Sequence, residues 1–439
     1  MGRRSGRYPA ALVLILLALI GAGPPDEPCE HVVIVSIDGF RPDFYLGDYD
    51  APALKAIAAA GARATGVESV YPSSTYPAHA SIVTGVRPAR HGIAANTTWT
   101  ESGSTRNWYW HAKDLKARTL WQAAREKGLK VAITYWPTSV GADVNWILGE
   151  IWDPDRKETV KRLAGSASPG LLTELALGVG VPTEKIADDR SATDAFVCRM
   201  AAYVFKRYKP NLQFVHLLNV DEAQHKHGPD APEVKSAVQL QDGNIARIRR
   251  AIEESGVADR TALLIVGDHG FTSISQNTAP NGLLKDAGLL TAEDGKITSW
   301  RAIIRSSGGS AAVYVKEAGD LARVREVLVG DGKLPYRLLE RKELDALGYN
   351  SEAAFSIEPA DGWAVTERIE AGLPTVKGNH GQLPTRPGLL TGFVAEGAGI
   401  QAGARIERMK LVDIAPAVAL LLGLEMPGVE GTVPAGLLR

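Results

Sequence analysis

The chain has 439 residues, of which 45% are hydrophobic and 23% charged, and its formal net charge is -1. This is the composition of an ordinary globular protein, and the length permits two or three domains. The near-neutral charge argues against a nucleic-acid-binding protein, which normally shows a basic excess or stripe. Two cysteines, Cys29 and Cys198, exclude a disulfide scaffold, although they could pair in an oxidising compartment.

The first 23 residues have the pattern of a secretory signal peptide. Three arginines lie within the first seven residues, and the apolar run from Ala10 to Ala22 ends in small residues. A run of about 13 apolar residues is too short to span a bilayer comfortably. The sequence therefore predicts an exported protein, periplasmic or secreted, with no membrane span once residues 1–23 are removed.

Short apolar runs rich in β-branched residues predict strands that are buried on both faces. They are His31–Ile37, Val131–Thr134, Leu212–Leu218 and Ala262–Val266. Helical patterns lie between them at Ala53–Ala60, Leu120–Lys127 and Val234–Glu254. Strands that alternate with helices predict an α/β layered fold, with a central, mostly parallel sheet between helices.

Residues 273–361 have a different pattern and predict a smaller inserted subdomain. They contain a turn at Gly308–Ser310, a short strand at Ala311–Val315 and a charged amphipathic helix near Asp320–Val329. The chain then returns to the main core, where Leu411–Leu422 predicts a last helix.

Acidic and imidazole side chains follow three of the predicted strands, and one more histidine lies in a glycine-framed loop. The set is Asp38, Asp221, His225, Asp268, His269 and His380. Functional groups collect at the carboxyl ends of strands in open α/β sheets. A single Asp after a strand is usually a turn residue or a helix cap, so the prediction depends on all the pieces together. Three Asp and three His suit two zinc-type sites, each with about three protein ligands and one open position.

The segment from Tyr71 to Gly85 places hydroxyl groups next to a predicted helix. Pro77 suits the first turn of that helix, so Thr75 is predicted just ahead of it, where free N–H groups favour an anion. Beside a metal ion, a hydroxyl at this place loses its proton more readily and becomes a nucleophile. By position alone, Thr75 as a simple helix N-cap is the stronger interpretation, and Ser73 and Ser74 are competing hydroxyls.

The chain resembles the nucleotide pyrophosphatase/phosphodiesterase family of the alkaline phosphatase superfamily over nearly everything after the signal peptide. The matching motifs are Ser74-Thr75-Tyr76-Pro77-Ala78-His79, Ser81-Ile82-Val83-Thr84-Gly85 with His91-Gly92-Ile93 and Asn96, Asp221-Glu222-Ala223-Gln224-His225-Lys226-His227-Gly228-Pro229, Asp268-His269-Gly270 and His380-Gly381. In that family, the position of Thr75 carries the nucleophile. The resemblance implies an alkaline phosphatase-like catalytic domain over residues 30–439.

The resemblance also implies a role for each site residue and two Zn²⁺ ions as cofactors. One ion would be held by Asp221, His225 and His380, and the other by Asp38, Asp268, His269 and the Thr75 oxygen. The Asn96 amide would bind a phosphoryl oxygen, and Tyr76 would stack on a base. The implied reaction is hydrolysis of a small phosphodiester or of a nucleotide pyrophosphate through a phospho-threonine intermediate.

Two alternatives stay open. Related threonine-dependent phosphomonoesterases have a Lys-x-Arg pair after the strand that corresponds to Val131–Thr134. Here that strand leads into Trp136-Pro137-Thr138-Ser139, which looks like the diesterase Trp-Pro-Gly-Ser and has no cation before Arg156, so diesters are favoured over monoesters or phosphonates. A non-catalytic binding protein with this fold is the second alternative, and it would be expected to have lost a ligand or the nucleophile.

Overall fold

The computed structural model describes residues 29–100, 103–153, 156–180 and 190–439. The signal peptide predicted in residues 1–23 lies outside the described residues. Within the described part of the chain, no helix has both the length and the apolar character needed to cross a membrane. Cys29 and Cys198 are both free thiols, so they do not pair in this structure.

Strands and helices alternate along the described residues. The strands are β1 His31–Ile37, β2 Ala62–Ala64, β3 Val67–Glu68, β4 Thr97–Thr100, β5 Gly103–Trp108, β6 Val131–Thr134, β7 Trp146–Leu148, β8 Leu212–Leu217, β9 Thr261–Val266, β10 Thr272–Thr278, β11 Leu290–Glu293, β12 Lys296–Trp300, β13 Ala302–Ser307, β14 Ser310–Val315, β15 Tyr336–Leu339, β16 Phe355–Pro359, β17 Gly362–Val365, β18 Gly378–Asn379, β19 Phe393–Gly397, β20 Arg405–Ile406 and β21 Met409–Lys410. The helices are α1 Asp43–Leu46, α2 Pro52–Ala60, α3 Thr75–Thr84, α4 Pro88–His91, α5 Leu120–Glu126, α6 Arg156–Ser166, α7 Leu171–Val179, α8 Arg190–Tyr208, α9 Asn219–His227, α10 Pro232–Glu253, α11 Pro280–Asp286, α12 Leu321–Val329, α13 Arg341–Ala346 and α14 Ile414–Leu422.

An eight-stranded sheet forms the centre of the molecule, in the order β20-β2-β19-β9-β1-β8-β6-β7. All its pairs are parallel except those of β19, which runs antiparallel to both neighbours. Successive side chains of β1 enter different cores: Val33 packs with helix α8 and α10 residues, while Val32 packs with α3 and α14 residues. A strand covered on both faces needs apolar residues at every position, which is why the continuous runs predicted it. The predicted α/β fold class is confirmed.

A smaller antiparallel sheet, in the order β13-β14-β16-β15, lies within residues 273–361. It has its own apolar cluster, in which Val313 and Ile357 of the sheet pack with Val324 of α12. Strand β10 precedes this sheet in the chain and β18 follows it, and β18 pairs antiparallel with β10. His380 directly follows β18, so this pairing fixes the start of its loop beside β10.

The last helix begins later than predicted. The sequence indicated a helix from Leu411, but α14 begins at Ile414 after a short 3₁₀ turn. Asp413 accounts for the difference, because its carboxylate accepts the main-chain N–H of Lys410 at 2.7 Å and that of Thr432 at 2.9 Å. These bonds hold the chain in a turn before the helix starts.

Candidate metal centre and nucleophile

Three neighbouring strands end at one edge of the central sheet and bring acidic residues together. Strands β9, β1 and β8 are adjacent and parallel. Asp38 directly follows β1, Asp268 lies two residues beyond β9, and Asp221 lies in the first turn of α9, which follows β8. Because the carboxyl ends of parallel strands share an edge, sequence-distant carboxylates meet there.

Asp221, His225 and His380 form the first cluster of possible metal ligands. Asp221 Oδ1 lies 3.4 Å from His225 Nε2 and 3.7 Å from His380 Nε2. The Nδ1–H of His225 donates to the carbonyl of Gly378, and that of His380 donates to the carbonyl of Ser73, both at 2.9 Å. These bonds leave the Nε2 lone pairs of both rings facing Asp221, as in metal-binding histidines.

Asp38, Asp268 and His269 form a second cluster of possible metal ligands beside the first, and the two together are called the metal-type clusters below. His269 Nε2 is 3.3 Å from Asp38 Oδ1 and 3.1 Å from Asp268 Oδ2. The other oxygen of Asp268 accepts the main-chain N–H groups of Gly39 and His269 at 3.0 and 2.9 Å. One ligand atom each of Asp38, Asp221 and His269 also lie within 4.8 Å of one another. Asp221 therefore stands between the two groups.

The free oxygen atoms of the three carboxylates fit divalent metal ions. Among the described residues, Asp38 Oδ1, Asp221 Oδ1 and Asp268 Oδ2 are buried and have no hydrogen-bond partner. A buried carboxylate oxygen without a partner is costly, and a cation shared with the nearby imidazoles would supply one. A tetrahedral ion with bonds of about 2.0–2.1 Å separates its ligands by about 3.3 Å, close to the nitrogen–oxygen distances observed.

The pKa values of the clustered side chains are shifted in the directions that favour binding of a cation. Burial, and after it the charge of Asp221, raises the pKa of Asp38 well above its usual value, and burial and Asp38 do the same for the pKa of Asp268. Burial and neighbouring imidazoles lower the pKa of His269 well below its usual value and that of His380 to about 4. At neutral pH these histidines are therefore uncharged, which is the form that binds metals, while the crowded carboxylates lack a counter-charge.

Thr75 is the first residue of α3 and faces the second cluster. Its predicted place just ahead of the helix is off by one residue, because Ser74 is the N-cap. The Thr75 Oγ1 lies 3.4 Å from His269 Nε2, and the residue is 8% exposed. One turn later, His79 donates its Nδ1–H to the Thr75 carbonyl at 2.8 Å and fixes the backbone there. The hydroxyl is thus directed at the clustered ligands.

The two competing hydroxyls have other partners. Ser73 Oγ donates to the carbonyl of Gln382 at 2.9 Å, and Ser74 Oγ donates to the carbonyl of Ser307 at 3.3 Å. Among the described residues, neither serine hydroxyl forms a hydrogen bond with Asp38, Asp221, His225, Asp268, His269 or His380. The simple N-cap interpretation of Thr75 also fails, because Ser74 occupies that position.

Asn96 is held against the start of α3. Its Oδ1 accepts the main-chain N–H of Tyr76 at 3.0 Å. Because the oxygen serves as acceptor here, the NH₂ group of Asn96 is left as a donor next to Thr75. In the first turn of α3 the Tyr76 N–H is thus occupied and Pro77 has none, so an anion at this place would be met by the N–H of Thr75 and the NH₂ group of Asn96.

Comparison with known proteins gives the family. Residues 32–383 match the family described as type I phosphodiesterase/nucleotide pyrophosphatase. The chain belongs to this family. Rat ectonucleotide pyrophosphatase/phosphodiesterase family member 7 is 23% identical over 97% of this chain and 90% of its own length, and human member 7 is 24% identical over 71% and 68%. As a member of this family, the chain is a hydrolase of phosphoric ester or pyrophosphate bonds.

Solved structures of family members share the fold. Murine ectonucleotide pyrophosphatase/phosphodiesterase 5 superposes with a TM-score of 0.70 at 21% identity, covering 92% of this chain and 97% of that one. A second structure of the murine protein, an inactive threonine-to-alanine variant in complex with AMP, superposes with a TM-score of 0.67. These likenesses identify the fold as alkaline phosphatase-like.

Tyr76 does not present the aromatic face that the family resemblance led us to expect. The residue is 0% exposed, and its hydroxyl donates to Glu150 Oε1 at 2.8 Å. As the second residue of α3, it packs in the core and has no exposed face, which argues against stacking on a base. The accessible aromatic side chains nearby are the half-buried Trp108, 5.3 Å from the Tyr76 ring, and Trp152, 4.8 Å from Trp108.

Two buried residues behind the metal-type clusters were missed by the sequence analysis. His216 Nδ1–H donates to Glu150 Oε2 at 2.8 Å, and His216 Nε2 lies 3.3 Å from Asp38 Oδ2. A chain of polar contacts therefore joins Tyr76, Glu150 and His216 to a candidate metal ligand. The signal for His216 was available, since a histidine in a fully buried strand requires a polar partner. Glu150 lies in a loop beyond β7 with no motif around it.

Thr138, which replaces the family glycine in Trp-Pro-Gly-Ser, has a left-handed backbone. Its φ is 55°, it is fully buried, and its Oγ1 has no hydrogen-bond partner among the described residues. A β-branched residue is strained in this region, where glycine is not. The structure thus gives the physical reason for a glycine at this position of the motif.

Thr138→Gly is expected to stabilise the protein by about 1 kcal/mol, since relief of strain and loss of an unpaired hydroxyl outweigh the entropy of glycine. Urea unfolding measures the change. Thr134→Gly is the matched control: it also removes a buried, unpaired hydroxyl, but from a regular strand, and it should destabilise. Equal destabilisation by both substitutions would contradict the strain at Thr138.

Asp194 fixes helix α8 to the junction of β8 and α9. Its carboxylate accepts the main-chain N–H groups of Leu218 and Asn219, both at 2.8 Å. Burial nevertheless raises the pKa of Asp194 to about 6. Asp194 therefore holds the main chain just before Asp221, and burial makes the ionisation of its carboxyl group costly.

The raised pKa of Asp194 predicts a specific pH dependence of stability. Between about pH 4 and pH 6, the folded protein holds this proton more firmly than the unfolded chain, so the free energy of unfolding decreases as pH rises through that window. A shift of about two pH units corresponds to roughly 3 kcal/mol. Urea unfolding at several pH values should show a shallower decrease for Asp194→Asn than for wild type, and identical slopes would contradict the assignment.

Proposed function

We propose that this hydrolase cleaves phosphodiester or nucleotide pyrophosphate bonds by attack of the Thr75 hydroxyl, through a phospho-threonine intermediate and with two zinc ions. Asp221, His225 and His380 would hold one ion, and Asp38, Asp268 and His269, together with the Thr75 oxygen, would hold the other. The observation that carries the proposal is the position of Thr75 Oγ1, 3.4 Å from His269 Nε2 and beside three carboxylate oxygens that lack partners. The inactive threonine-to-alanine variant of the murine relative is in keeping with it.

When bound, divalent ions at these residues supply Lewis acidity for the charge that develops on the phosphoryl, attacking and leaving oxygens. The protein positions the reacting groups. Helix α3 fixes Thr75, and the bond from His79 to its carbonyl limits backbone movement. The Asn96 NH₂ and the free N–H at the start of α3 would donate to the non-bridging oxygens. These groups are set before substrate binds, so little reorganisation accompanies the reaction.

The bonds change in two displacements at phosphorus. First, Thr75 Oγ bonds to phosphorus while the ester or phosphate leaving group departs with its oxygen, and the proton of the Thr75 hydroxyl passes to that leaving oxygen or to solvent. Water then attacks the same phosphorus atom, breaks the bond to Thr75 Oγ and returns the hydroxyl. Each in-line displacement inverts the configuration at phosphorus.

The comparison of a diester with its monoester tests the substrate class. The loop after β6 carries no Lys-x-Arg pair, so we expect a higher kcat/KM for bis(4-nitrophenyl) phosphate than for 4-nitrophenyl phosphate. Metal-loaded, purified protein should be used for both assays. A clear preference for the monoester would support the phosphomonoesterase alternative, and absence of turnover with every phosphate ester would support the binding protein.

Export of the mature enzyme is also part of the proposal. Residues 1–23 have the signal pattern, and the relatives include ectonucleotide enzymes and a venom phosphodiesterase of Crotalus adamanteus. Mass spectrometry of the mature protein from its host would show the processed N-terminus.

A further inference from the structure

Gly39 lies between the two metal-type clusters and forms a hydrogen bond towards each of them. Its N–H donates to Asp268 Oδ1 at 3.0 Å, and its carbonyl accepts the Nε2–H of Gln224 at 2.9 Å. Gly39 directly follows Asp38, and Gln224 directly precedes His225 in α9. The main chain after a ligand of the second cluster is therefore tied to the helix that carries two ligands of the first.

The contact between Gln224 and Gly39 is so close that only glycine fits. Gly39 has a left-handed φ of 71°, and a Cβ atom there would lie 2.6 Å from Gln224 Nε2 and 2.8 Å from Cε2 of Phe271. A side chain at this position would be strained and would also push the amide away from the carbonyl. The glycine thus allows the Gln224 amide to reach the main chain beside Asp38.

The Gln224 amide is buried and uses only part of its hydrogen-bonding capacity. The residue is 0% exposed, and within the described residues its Oε1 has no hydrogen-bond partner. Because the Gly39 carbonyl can only accept, the NH₂ group of Gln224 is the end that faces it. Burial of a half-satisfied amide has a desolvation cost similar in size to the net gain from one hydrogen bond. The amide therefore contributes little net stability, and its main effect is to fix Gly39 relative to α9.

The first cluster has other hydrogen bonds that orient its ligands. The Nδ1–H groups of His225 and His380 donate to main-chain carbonyls, and the main-chain carbonyl of His225 accepts the N–H of Lys377 at 2.8 Å. Loss of the Gln224 bond should therefore leave the first cluster in place and release the main chain that carries Asp38.

Arg41 forms a second link between the same two segments, but farther from the ligands. Its Nη1–H donates to the Pro229 carbonyl at 2.9 Å. Arg41 comes three residues after Asp38, and Pro229 comes four residues after the last ligand of α9, whereas the Gln224 bond is one residue from a ligand at each end. Each intervening residue adds two soft dihedral angles, so the Gln224 bond constrains the ligand positions more directly.

We propose that Gln224 is a positioning residue that holds Asp38 at the separation from α9 that the second cluster needs to bind its metal ion. The inference rests on the proposed function, which places one ion in each cluster. In this role Gln224 binds neither substrate nor metal and acts through the main chain of Gly39. Partners that orient metal ligands change metal affinity about 10- to 100-fold when they are replaced.

The zinc affinities of Gln224→Met test the proposal. Methionine is unbranched and similar in size, but it has no N–H donor. Equilibrium dialysis of the zinc-loaded protein against graded free zinc, set by a chelator, gives the affinity of each site. We expect the wild-type protein to bind two ions and the variant to bind one of them about 10- to 100-fold more weakly, with less than about a 3-fold change for the other. Unchanged affinity for both ions would overturn the role of Gln224, and so would an equal loss at both, which indicates a general structural defect.

Gln213→Met is the matched control. Gln213 is also 0% exposed, donates its Nε2–H to the main-chain carbonyl of Ala201 at 2.9 Å, and has an Oε1 without a partner in the described part of the chain. It lies near the start of β8, at the opposite end of the strand from the clusters. Both substitutions should change urea unfolding in excess chelator similarly, whereas only Gln224→Met should weaken zinc binding. An equal loss of zinc affinity in Gln213→Met would overturn the proposal.

An Asp38→Ala background identifies the ion that is affected. Without Asp38 the second cluster lacks a ligand, so the dialysis reports the first cluster. In this background, Gln224→Met should change the remaining affinity less than about 3-fold, as expected when two residues act on the same site. A loss of about 10-fold or more would overturn the proposal, because Gln224 would then act on His225 rather than on Asp38.

Zinc binding also separates this inference from the proposed function. Wild-type protein that binds two ions but has no turnover would overturn the proposed function, while the dialysis still tests Gln224. Wild-type protein that binds no zinc would overturn both.

Discussion

Replacement of Thr75 by alanine is expected to lower kcat at least about 10³-fold, as removal of a catalytic nucleophile does in other hydrolases, while metal content and fold stay unchanged. The expectation follows from the hydroxyl being the one directed at the ligand clusters, 3.4 Å from His269 Nε2. A small residual rate would come from binding and charge stabilisation alone. Steady-state kinetics with bis(4-nitrophenyl) phosphate and metal analysis of the same preparation check it.

Two control variants make the result specific. Thr75→Ser keeps a hydroxyl and should retain far more activity than Thr75→Ala. Ser74→Ala removes the neighbouring hydroxyl, which donates to the Ser307 carbonyl and has no place in the reaction. If Ser74→Ala were the more damaging variant, the nucleophile would have been assigned to the wrong residue.

Replacement of Asp221 by alanine should have an effect on kcat of similar size and should remove at least one metal ion. Asp221 lies within ligand distance of His225 and His380 and also groups with Asp38 and His269, so its loss affects both clusters. Elemental analysis should give two ions per wild-type chain and one or none in the variant. The melting temperature should fall too, because an ion at about 1,000 times its dissociation constant stabilises by about 4 kcal/mol.

His227→Ala is the matched control for the metal assignment. His227 lies on the same helix, two residues after His225, but its Nδ1 faces Glu233 at 3.5 Å rather than either cluster. Its loss should leave metal content and turnover near the wild-type values. Metal loss from His227→Ala, with full metal retained by Asp221→Ala, would contradict the ligand sets.

The positions of the acidic residues were predictable because the physics behind them is simple. A continuous apolar run indicates a strand buried on both faces, and such strands run parallel and end at one edge. The sequence alone therefore predicts that Asp38, Asp221 and Asp268 lie at the same edge of the sheet. His380 is different: it reaches the site through the pairing of β18 with β10, which a strand of two residues, Gly378–Asn379, could not have indicated.

What the sequence could not supply are contacts that depend on side-chain direction. Tyr76 follows the nucleophile, yet the first turn of α3 sends its ring into the core. Glu150 comes from a segment with no recognisable motif and meets His216 only after the chain has folded around β7 and β8. Thr138 was visible as a substitution for glycine, but its strain depends on a φ angle that only the structure gives.

The stereochemical course at phosphorus tests the central claim most directly. Hydrolysis of a diester that carries a chiral phosphorothioate, in ¹⁸O-labelled water, distinguishes one displacement from two. Attack by Thr75 followed by attack of water requires two inversions, so the account predicts net retention of configuration. Net inversion would mean that water attacks the substrate directly, and it would contradict the covalent role of Thr75.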